Sequence, residues 1–515
     1  MTRRKLPLGI QSFAKIRSDD YYYVDKTALA VKLIESSSHY FLSRPRRFGK
    51  SLFLDTLKEL FEGNEPLFQG LAVHDQWDWS VKYPVLRFSF GGGDYAQPEQ
   101  AERVLFEQLD VFETAYEVPT IYDTASGRLK ALIIQAQKKT GQPVVVLIDE
   151  YDKPILDALQ DKALSRINRD FLRGFYSTIK DSDAHLKFTF LTGVSKFSQV
   201  SLFSGLNNLF DITLDPDYSS LCGYTDHDID EVFEPELEGL DREKIKEWYN
   251  GYNWLGQHVY NPYDVLNLFK KRIFKNYWFE TGTPTFLVDH LAKNHFFSPD
   301  LAALQSDAAL LSAFDIDHIS NEALLFQTGY LTIHDVQEPM FGHWVYTLGY
   351  PNLEVKSSLN ISLLSAYGCD DSKVLKNRLG LLKILQSNNL DELELLFHAF
   401  FASIPNQWYT KNTIAHYEGY YASVFYSYFA ALGLDVTVED STNHGRLDMT
   451  LKFNDQVYLF EFKVVELVPD GKALQQIKDK QYADKYRGLN QPVYMIGVEF
   501  SKESRNIVGF EVEQA

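Results

Sequence analysis

Cysteine is nearly absent: Cys222 and Cys369 are the two in 515 residues, too few and too far apart for a disulfide framework or a clustered thiolate metal site. Their scarcity fits a reducing, cytoplasmic setting. Positive charge is in deficit as well. Fifty-one Lys and Arg against 70 Asp and Glu give a formal net charge of -19, which favours solubility and excludes a protein that coats anionic membrane or nucleic acid over its whole surface. Any nucleic-acid site must be a local basic patch. No uninterrupted apolar run approaches bilayer length, and the start, MTRRKLPLGIQSF, has positive charge but neither an apolar h-region nor a small-residue cleavage site. Membrane spanning and secretion are therefore not expected. Fixed-period repeats and long low-complexity linkers are missing too.

What the chain has in quantity is material for cores. At 45% hydrophobic and 15% aromatic over 515 residues, it exceeds what one core organises and predicts two or three domains. Apolar, β-rich runs recur early: HYFLS at 39–43, PVLRFSF at 84–90, PVVVLI at 143–148, KFTFLTG at 187–193 and FDITL at 210–214. Helical patterns such as SLFLDTLKELFEG and AERVLFEQLDVFETAY lie between them, so residues 1–215 read as α/β with a parallel sheet. Helices rich in aromatic residues then take over, with strands scarce, after the loop-forming cluster DPDYSSLCGYT. Residues 216–340 read as a helical middle or lid domain, and 341–410 as a helical connector opened by the short β-like piece HWVYTLGYP. A second α/β signal spans 411–515: a helical period at 413–434, then LDVTVEDS, GRLDMTLKF and QVYLFEFKV, a helix rich in Lys and Gln at 471–486, and the strand PVYMIGVEF.

Two places in this pattern carry chemistry. After the strand HYFLS come Arg44-Pro-Arg46-Arg47-Phe48-Gly49-Lys50-Ser51 and a helix from Leu52, the ending of a P-loop (Walker A) between strand and helix, with Arg44 where the first Gly belongs. Backbone amides from Arg46 to Leu52 can surround phosphate, Lys50 can reach the β and γ phosphates, and the Ser51 hydroxyl can ligate Mg²⁺. The strand VVVLI ends in Asp149-Glu150, the Walker B arrangement in which Asp149 holds Mg²⁺ and Glu150 orients an attacking water. Thr192, ending KFTFLTG, serves either as a γ-phosphate sensor or as a turn cap. Arg169 and Arg173 read as an arginine finger or, more simply, as surface ion pairs.

In QVYLFEFKV, alternation puts Glu461 and Lys463 on one strand face and Phe460, Phe462 and Val464 on the other. Asp448, in the preceding GRLDMTLKF, comes beside Glu461 if the two strands pair antiparallel. Carboxylates that close repel unless a divalent cation binds, and hard oxygen ligands suit Mg²⁺ or Mn²⁺. Glu418 on the preceding helix can complete the shell, and Lys463 can position a nucleophile or stabilise developing charge. The competing account is a polar sheet face laced with cross-strand salt bridges.

Asp448 and Glu461-Phe-Lys463, after a helix with Glu418 and before a helix with Gln481-Tyr482, resemble the PD-(D/E)XK nuclease superfamily, whose core runs helix, three strands, helix, strand. The N-terminal half resembles the bacterial AAA-ATPase-like family fused to that domain, through FLSRPRRFGKSLFLDTL, VVVLIDEYDKPI, LTGVSKFS and WYNGYNW. The resemblance implies an α/β multidomain fold: a P-loop domain, a helical middle region and a restriction-endonuclease-like domain. It implies ATP and Mg²⁺ at Lys50, Ser51, Asp149 and Glu150. It makes Glu418, Asp448, Glu461 and Lys463 the nuclease group, with Mg²⁺ or Mn²⁺, and Gln481 a supporting residue. Leu447 stands where the superfamily's Pro precedes the first Asp. The aromatic residues of Trp248–Tyr252 are assigned to packing.

The resulting expectation is a cytoplasmic, ATP-dependent or ATP-regulated, Mg²⁺-dependent nuclease acting on nucleic acid, with DNA favoured, no membrane partner, and self-assembly into a homo-oligomer left open. Lys472, Lys478, Lys480, Lys485 and Arg487 are the candidate basic patch, or else a solvated helix face. The rival is an ATP-driven switch or assembly factor whose nuclease-like domain binds nucleic acid or protein without cutting. The intact Glu461-Phe-Lys463 favours cleavage, because a site kept only for binding has no need of the lysine.

Overall fold

The computed structural model describes residues 3–196, 208–281, 287–288, 291, 297–307, 311, 320–366, 371–402, 418–442 and 444–515. The chain divides into two compact units, Met1–Thr281 with Gln305–Asn352, and Gly282–Leu304 with Leu353–Ala515.

The first unit is organised by a five-stranded sheet of β1 (His39–Ser43), β2 (Val85–Ser89), β3 (Val144–Asp149), β4 (Leu186–Gly193) and β5 (Phe210–Asp211), in the order β2-β3-β4-β1-β5. Every pairing is parallel. β1 and β3 are buried at every position, as expected of parallel strands covered on both faces, which is why they read as unbroken apolar runs. Parallel strands all point the same way, so Ser43, Ser89, Asp149 and Gly193 end at one edge. Ligands of open α/β sheets bind at that edge. The run FDITL yields only the two residues of β5, because the Asp211 carboxylate accepts from the Thr213 amide at 2.9 Å and turns the chain out of the ladder.

Helices Asp226–Val232, Arg242–Tyr249 and Pro262–Lys271 follow. Their apolar stripes bury Ile229, Ile245, Tyr249 and Val265 against Tyr22 and Val24 of the N-terminal segment. The stretch expected to be poor in strands also holds β6 (Leu304–Asp307) and β7 (Thr332–Met340), which join β8 (His343–Gly349), the expected β-like piece HWVYTLGYP, in a sheet of order β6-β8-β7. β7 and β8 pair antiparallel across the turn at Phe341-Gly342. Most of β7 is exposed, so it lacks the one-sided apolar alternation by which a strand is read.

In the second unit, β9 (Asp435–Thr442), β10 (Gly445–Phe453), β11 (Gln456–Val465), β12 (Val493–Ser501) and β13 (Asn506–Gln514) form a sheet in the order β13-β12-β11-β10-β9. β11 and β12 are parallel and the other neighbours antiparallel. The described order of helix Glu418–Ala431, three strands, helix Lys472–Asp479 and strand matches the expected one, with β13 added beyond it. Strand alternation builds two layers. Phe460 and Phe462 pack on Phe425 and Phe429 of the first helix, while Val457 and Leu459 pack on Leu474 and Ile477 of the second.

The Trp248–Tyr252 block is packing, as expected. Gly251 has φ 111°, and a Cβ there would stand 1.8 Å from the carbonyl oxygen of Pro351. Neither the backbone nor the carbonyl can yield cheaply, so Gly251→Ala should cost on the order of 3 kcal/mol. A denaturant titration followed by tryptophan fluorescence reads this, and a loss below about 0.5 kcal/mol would contradict the contact.

Candidate nucleotide and metal sites

At the carboxyl end of β1 the chain turns into helix Lys50–Phe61 through Gly49, whose φ of 96° caps the helix. Lys50 is 7% exposed, and its Nζ donates to the carbonyl oxygens of Arg44 at 2.8 Å and Pro45 at 2.9 Å. Burial lowers its pKa, opposed chiefly by the charge of Asp149. Phe48 turns its ring inward, edge-on to Tyr252 at 4.7 Å and Trp254 at 5.3 Å, so the WYNGYNW block is the floor of this loop. Arg46 and Arg47 are exposed. The Arg46 carbonyl accepts from Trp278 Nε1 at 3.1 Å, and the Arg47 guanidinium lies 5.2 Å from the Tyr263 ring centre.

A cleft of about 550 Å³ opens here, walled by Arg47, Gly49, Lys50, Ser51, Leu52 and Glu150 and extending to the N-terminal segment at Gly9 and Ile10. That volume falls in the range of ligand pockets. Glu150 adopts a left-handed φ of 52°, and its carboxyl pKa is raised by burial and then by Asp149. Asp149 and Thr192 are not on the cleft wall. They face each other in register between β3 and β4, with Leu42 of β1 on the other side of Thr192. Among the described residues, Asp149 Oδ1 and Thr192 Oγ1 are buried without a hydrogen-bond partner. An acceptor in that condition, beside a cleft with a hydroxyl at Ser51, fits a hard divalent cation.

Residues that the pattern did not single out join this site. Arg87 on β2 pairs with Asp55 of the P-loop helix, donates from Nη2 to the Ser51 carbonyl at 3.3 Å and lies 4.0 Å from Asp149 Oδ2. A lone Arg inside the apolar run PVLRFSF was the available signal. Asp152, 1% exposed, accepts from the Val194 and Ser195 amides at 3.0 Å and 2.6 Å and ties the chain after β3 to the end of β4. Arg169 and Arg173 both pair with Asp170, the simpler of their two readings.

In the second unit Asp448 and Glu461 come together where β10 and β11 begin to part. The last ladder pair on that side is Met449 with Phe460, and beyond it Asp448 Oδ2 accepts from the Phe462 amide at 2.7 Å. Glu461 is fully buried; Oε1 accepts from Lys463 Nζ at 3.2 Å and from Gln476 Nε2, while Oε2 has no partner among the described residues. The donor set and that orphaned oxygen fit Mg²⁺ or Mn²⁺. Among the described residues no group of three His, Cys, Asp or Glu forms a metal cluster; the side chain of Glu418 lies outside the described residues.

The glutamine that meets Glu461 is Gln476, not Gln481. Helix Lys472–Asp479 ends before Gln481, which is exposed with a left-handed φ of 49°. Gln476 sits between buried Ala473 and Ile477, a polar residue on an apolar stripe. Gly497, opposite Glu461 in register, lets this helix approach: a Cβ there would stand 2.3 Å from the Leu474 amide. Glu499, opposite Lys463, accepts from the Ala473 and Asp470 amides at 3.3 Å and 2.7 Å and so anchors the helix start. The basic patch is largely neutralised. Lys472 pairs with Asp470, Lys478 with Glu513, Lys485 with Asp440 and Arg487 with Asp484.

Burial, and then the Asp448 charge, push the Glu461 carboxyl up to about 7 against the pull of Lys463. The folded unit therefore holds a proton that the unfolded chain, with a carboxyl near 4.5, gives up more readily. This contribution to stability is complete below the unfolded value and is lost as pH rises through about 7. Denaturant titrations in chelator from about pH 5 to about pH 8 should show that decline, and Glu461→Gln should flatten it. Equal slopes in the two proteins would refute the assignment.

Comparison with known proteins finds a family for a segment of each unit. Residues 7–203 match the family described as "Predicted AAA-ATPase", and residues 416–510 match the PD-(D/E)XK nuclease superfamily. An "Uncharacterized protein in vnfD 5'region" of Azotobacter chroococcum mcd 1 is 60% identical over 514 residues, covering 100% of this chain and 99% of that protein. No solved structure matches. Among the described residues no helix is long and apolar enough to cross a membrane. With an α/β P-loop unit ahead of a five-stranded sheet carrying Asp448, Glu461 and Lys463, the chain belongs to the AAA-ATPase-like family with a C-terminal PD-(D/E)XK nuclease superfamily domain.

Proposed function

We propose that the protein is an ATP-regulated, Mg²⁺-dependent nuclease that cuts phosphodiester bonds, with DNA the favoured substrate. The observation that carries the reading is the Lys463 ammonium 3.2 Å from the buried Glu461 carboxylate. A lysine there contributes little to packing and is suited to an attacking water and a developing negative charge. Asp448 and Glu461 would hold the divalent cation, with Glu418 as a third ligand. When bound, the cation supplies Lewis acidity at the scissile phosphate. Gln476 fixes the Glu461 carboxylate, leaving its second oxygen directed to that cation.

In the nucleotide cleft, the amides from Arg46 to Leu52 would cradle the phosphates. Lys50 would exchange its two carbonyl contacts for phosphate oxygens, and Ser51 and Asp149 would hold Mg²⁺. Glu150 would orient the attacking water, with its raised pKa favouring proton acceptance. Thr192, in register with Asp149 on the central strand, would pass the state of the γ-phosphate to the segment that Asp152 holds.

Purified protein is tested on linear, circular and single-stranded DNA in Mg²⁺ or Mn²⁺, with and without ATP. Asp448→Ala and Lys463→Ala should each reduce cleavage at least about 100-fold with ATP turnover intact. Lys50→Ala should abolish turnover. Gln476→Ala should cost about 10- to 100-fold in cleavage, and Gln481→Ala should be nearly silent. Cleavage by Asp448→Ala equal to wild type would place the chemistry elsewhere. ATP hydrolysis with no cleavage on any substrate, RNA included, would favour a nucleotide-driven switch.

A further inference from the structure

We propose that Arg87 is the positioning residue that presents Asp149 and Ser51 to the divalent cation of the nucleotide cleft; the inference rests on the ATPase reading of that cleft. Arg87 is a lone cation on a strand otherwise built for the core, with Leu86 and Phe88 on either side fully buried. Its register partner on β3 is Leu147, two residues before Asp149. Strand periodicity therefore puts the Arg87 side chain on the same sheet face as Asp149.

The guanidinium divides its donors. Nη1 is taken by Asp55 Oδ1 in a close ion pair. Nη2 meets the Ser51 carbonyl at 3.3 Å and stands 4.0 Å from Asp149 Oδ2. Asp149 is therefore drawn on its Oδ2 side, and among the described residues Oδ1 receives no donor. One planar group thus holds the backbone of the hydroxyl residue and stands within ion-pair reach of the carboxylate. A fork of this shape can do that, and a point charge cannot. Asp55, 7% exposed, is itself tied down: its Oδ2 accepts from the Phe13 amide at 2.7 Å. Phe13 lies two residues beyond the Gly9–Gln11 stretch that lines the cleft. The two walls of the cleft are in this way referred to one carboxylate–guanidinium pair.

The test uses the full chain and three variants, Arg87→Gln, Arg87→Lys and Asp55→Asn. Two quantities are measured: the Mg²⁺ concentration that half-saturates ATP turnover, and the affinity for a fluorescent ATP analogue in EDTA. Arg87→Gln should raise the half-saturating Mg²⁺ about tenfold and leave metal-free nucleotide affinity within about twofold, because Arg87 meets the Ser51 carbonyl rather than Lys50 or a phosphate-facing N–H. Arg87→Lys should fall between, keeping charge without the fork. Asp55→Asn, which frees the guanidinium from its anchor, should shift Mg²⁺ dependence in the same direction. An unchanged Mg²⁺ requirement in Arg87→Gln, or an equal loss of affinity in EDTA, overturns the proposal. If wild type binds and hydrolyses ATP while Arg87→Gln matches it, this inference alone fails. If wild type binds no nucleotide with or without Mg²⁺, the ATPase reading fails and takes this one with it.

Discussion

Arg44 is buried completely, and the identified partners of its guanidinium are carbonyl oxygens: Ser43 at 2.8 Å, Thr213 at 2.9 Å and Tyr218 at 3.4 Å, with the Trp254 ring 4.1 Å below. Burying a cation in this way is costly, and burial lowers its pKa to about 10. The cost has a structural return. The Arg44 amide donates to the Gly193 carbonyl of β4 at 3.1 Å, and its own carbonyl accepts Lys50 Nζ. One residue thereby joins the end of β1, the end of β4, the P-loop lysine and the aromatic floor. A glycine at this position, as the common phosphate-loop pattern has it, would give the loop freedom but none of these ties. The loop here is held from behind by a side chain.

The second unit solves a related problem with a carboxylate. Glu461 lies on β11 with a fully buried side chain, flanked in the sheet by Gly497 of β12. Because Gly497 has no Cβ, the backbone of helix Lys472–Asp479 comes close enough for Gln476 to reach the carboxylate. Glu499, two residues along β12, holds the helix start, and Lys463 is its neighbour across the strands. Position, charge and access at this site are all set by four residues on two adjacent parallel strands. The phenylalanine layer on the opposite face keeps those strands flat against helix Glu418–Ala431.

Much of this was legible beforehand, and the reasons are specific. β1 to β4 read as strands because both faces are buried and their residues are correspondingly apolar. Asp448, Glu461 and Lys463 were legible because side chains alternate along a strand. Gln481 was mistaken for Gln476 because a single helix was drawn over 471–486, whereas the α-helix stops at Asp479 and Tyr482–Leu489 is a 3₁₀ turn. The periodicity that predicts a helix does not mark where its hydrogen bonding tightens. β7 escaped because exposed ribbons lack one-sided alternation. Arg87 escaped for a different reason: its partners come from a helix and a neighbouring strand, and no spacing along the chain encodes that meeting.

Charge decides how a polyanion could use the second site. The chain carries a net charge of -19, and four of the five basic residues expected to offset it near the nuclease strands, Lys472, Lys478, Lys485 and Arg487, are paired with Asp470, Glu513, Asp440 and Asp484. A phosphate approaching Asp448 and Glu461 would meet two acidic groups in a poorly solvated setting, where like charges are least tolerated. Lys463 offers one compensating charge, already shared with Glu461. On the proposed nuclease reading, a divalent cation held by Asp448 and Glu461 would remove that repulsion for a phosphodiester. Metal and substrate binding at this site should then be mutually reinforcing, since the cation removes the repulsion that a phosphate would face alone and the phosphate adds a ligand for the cation.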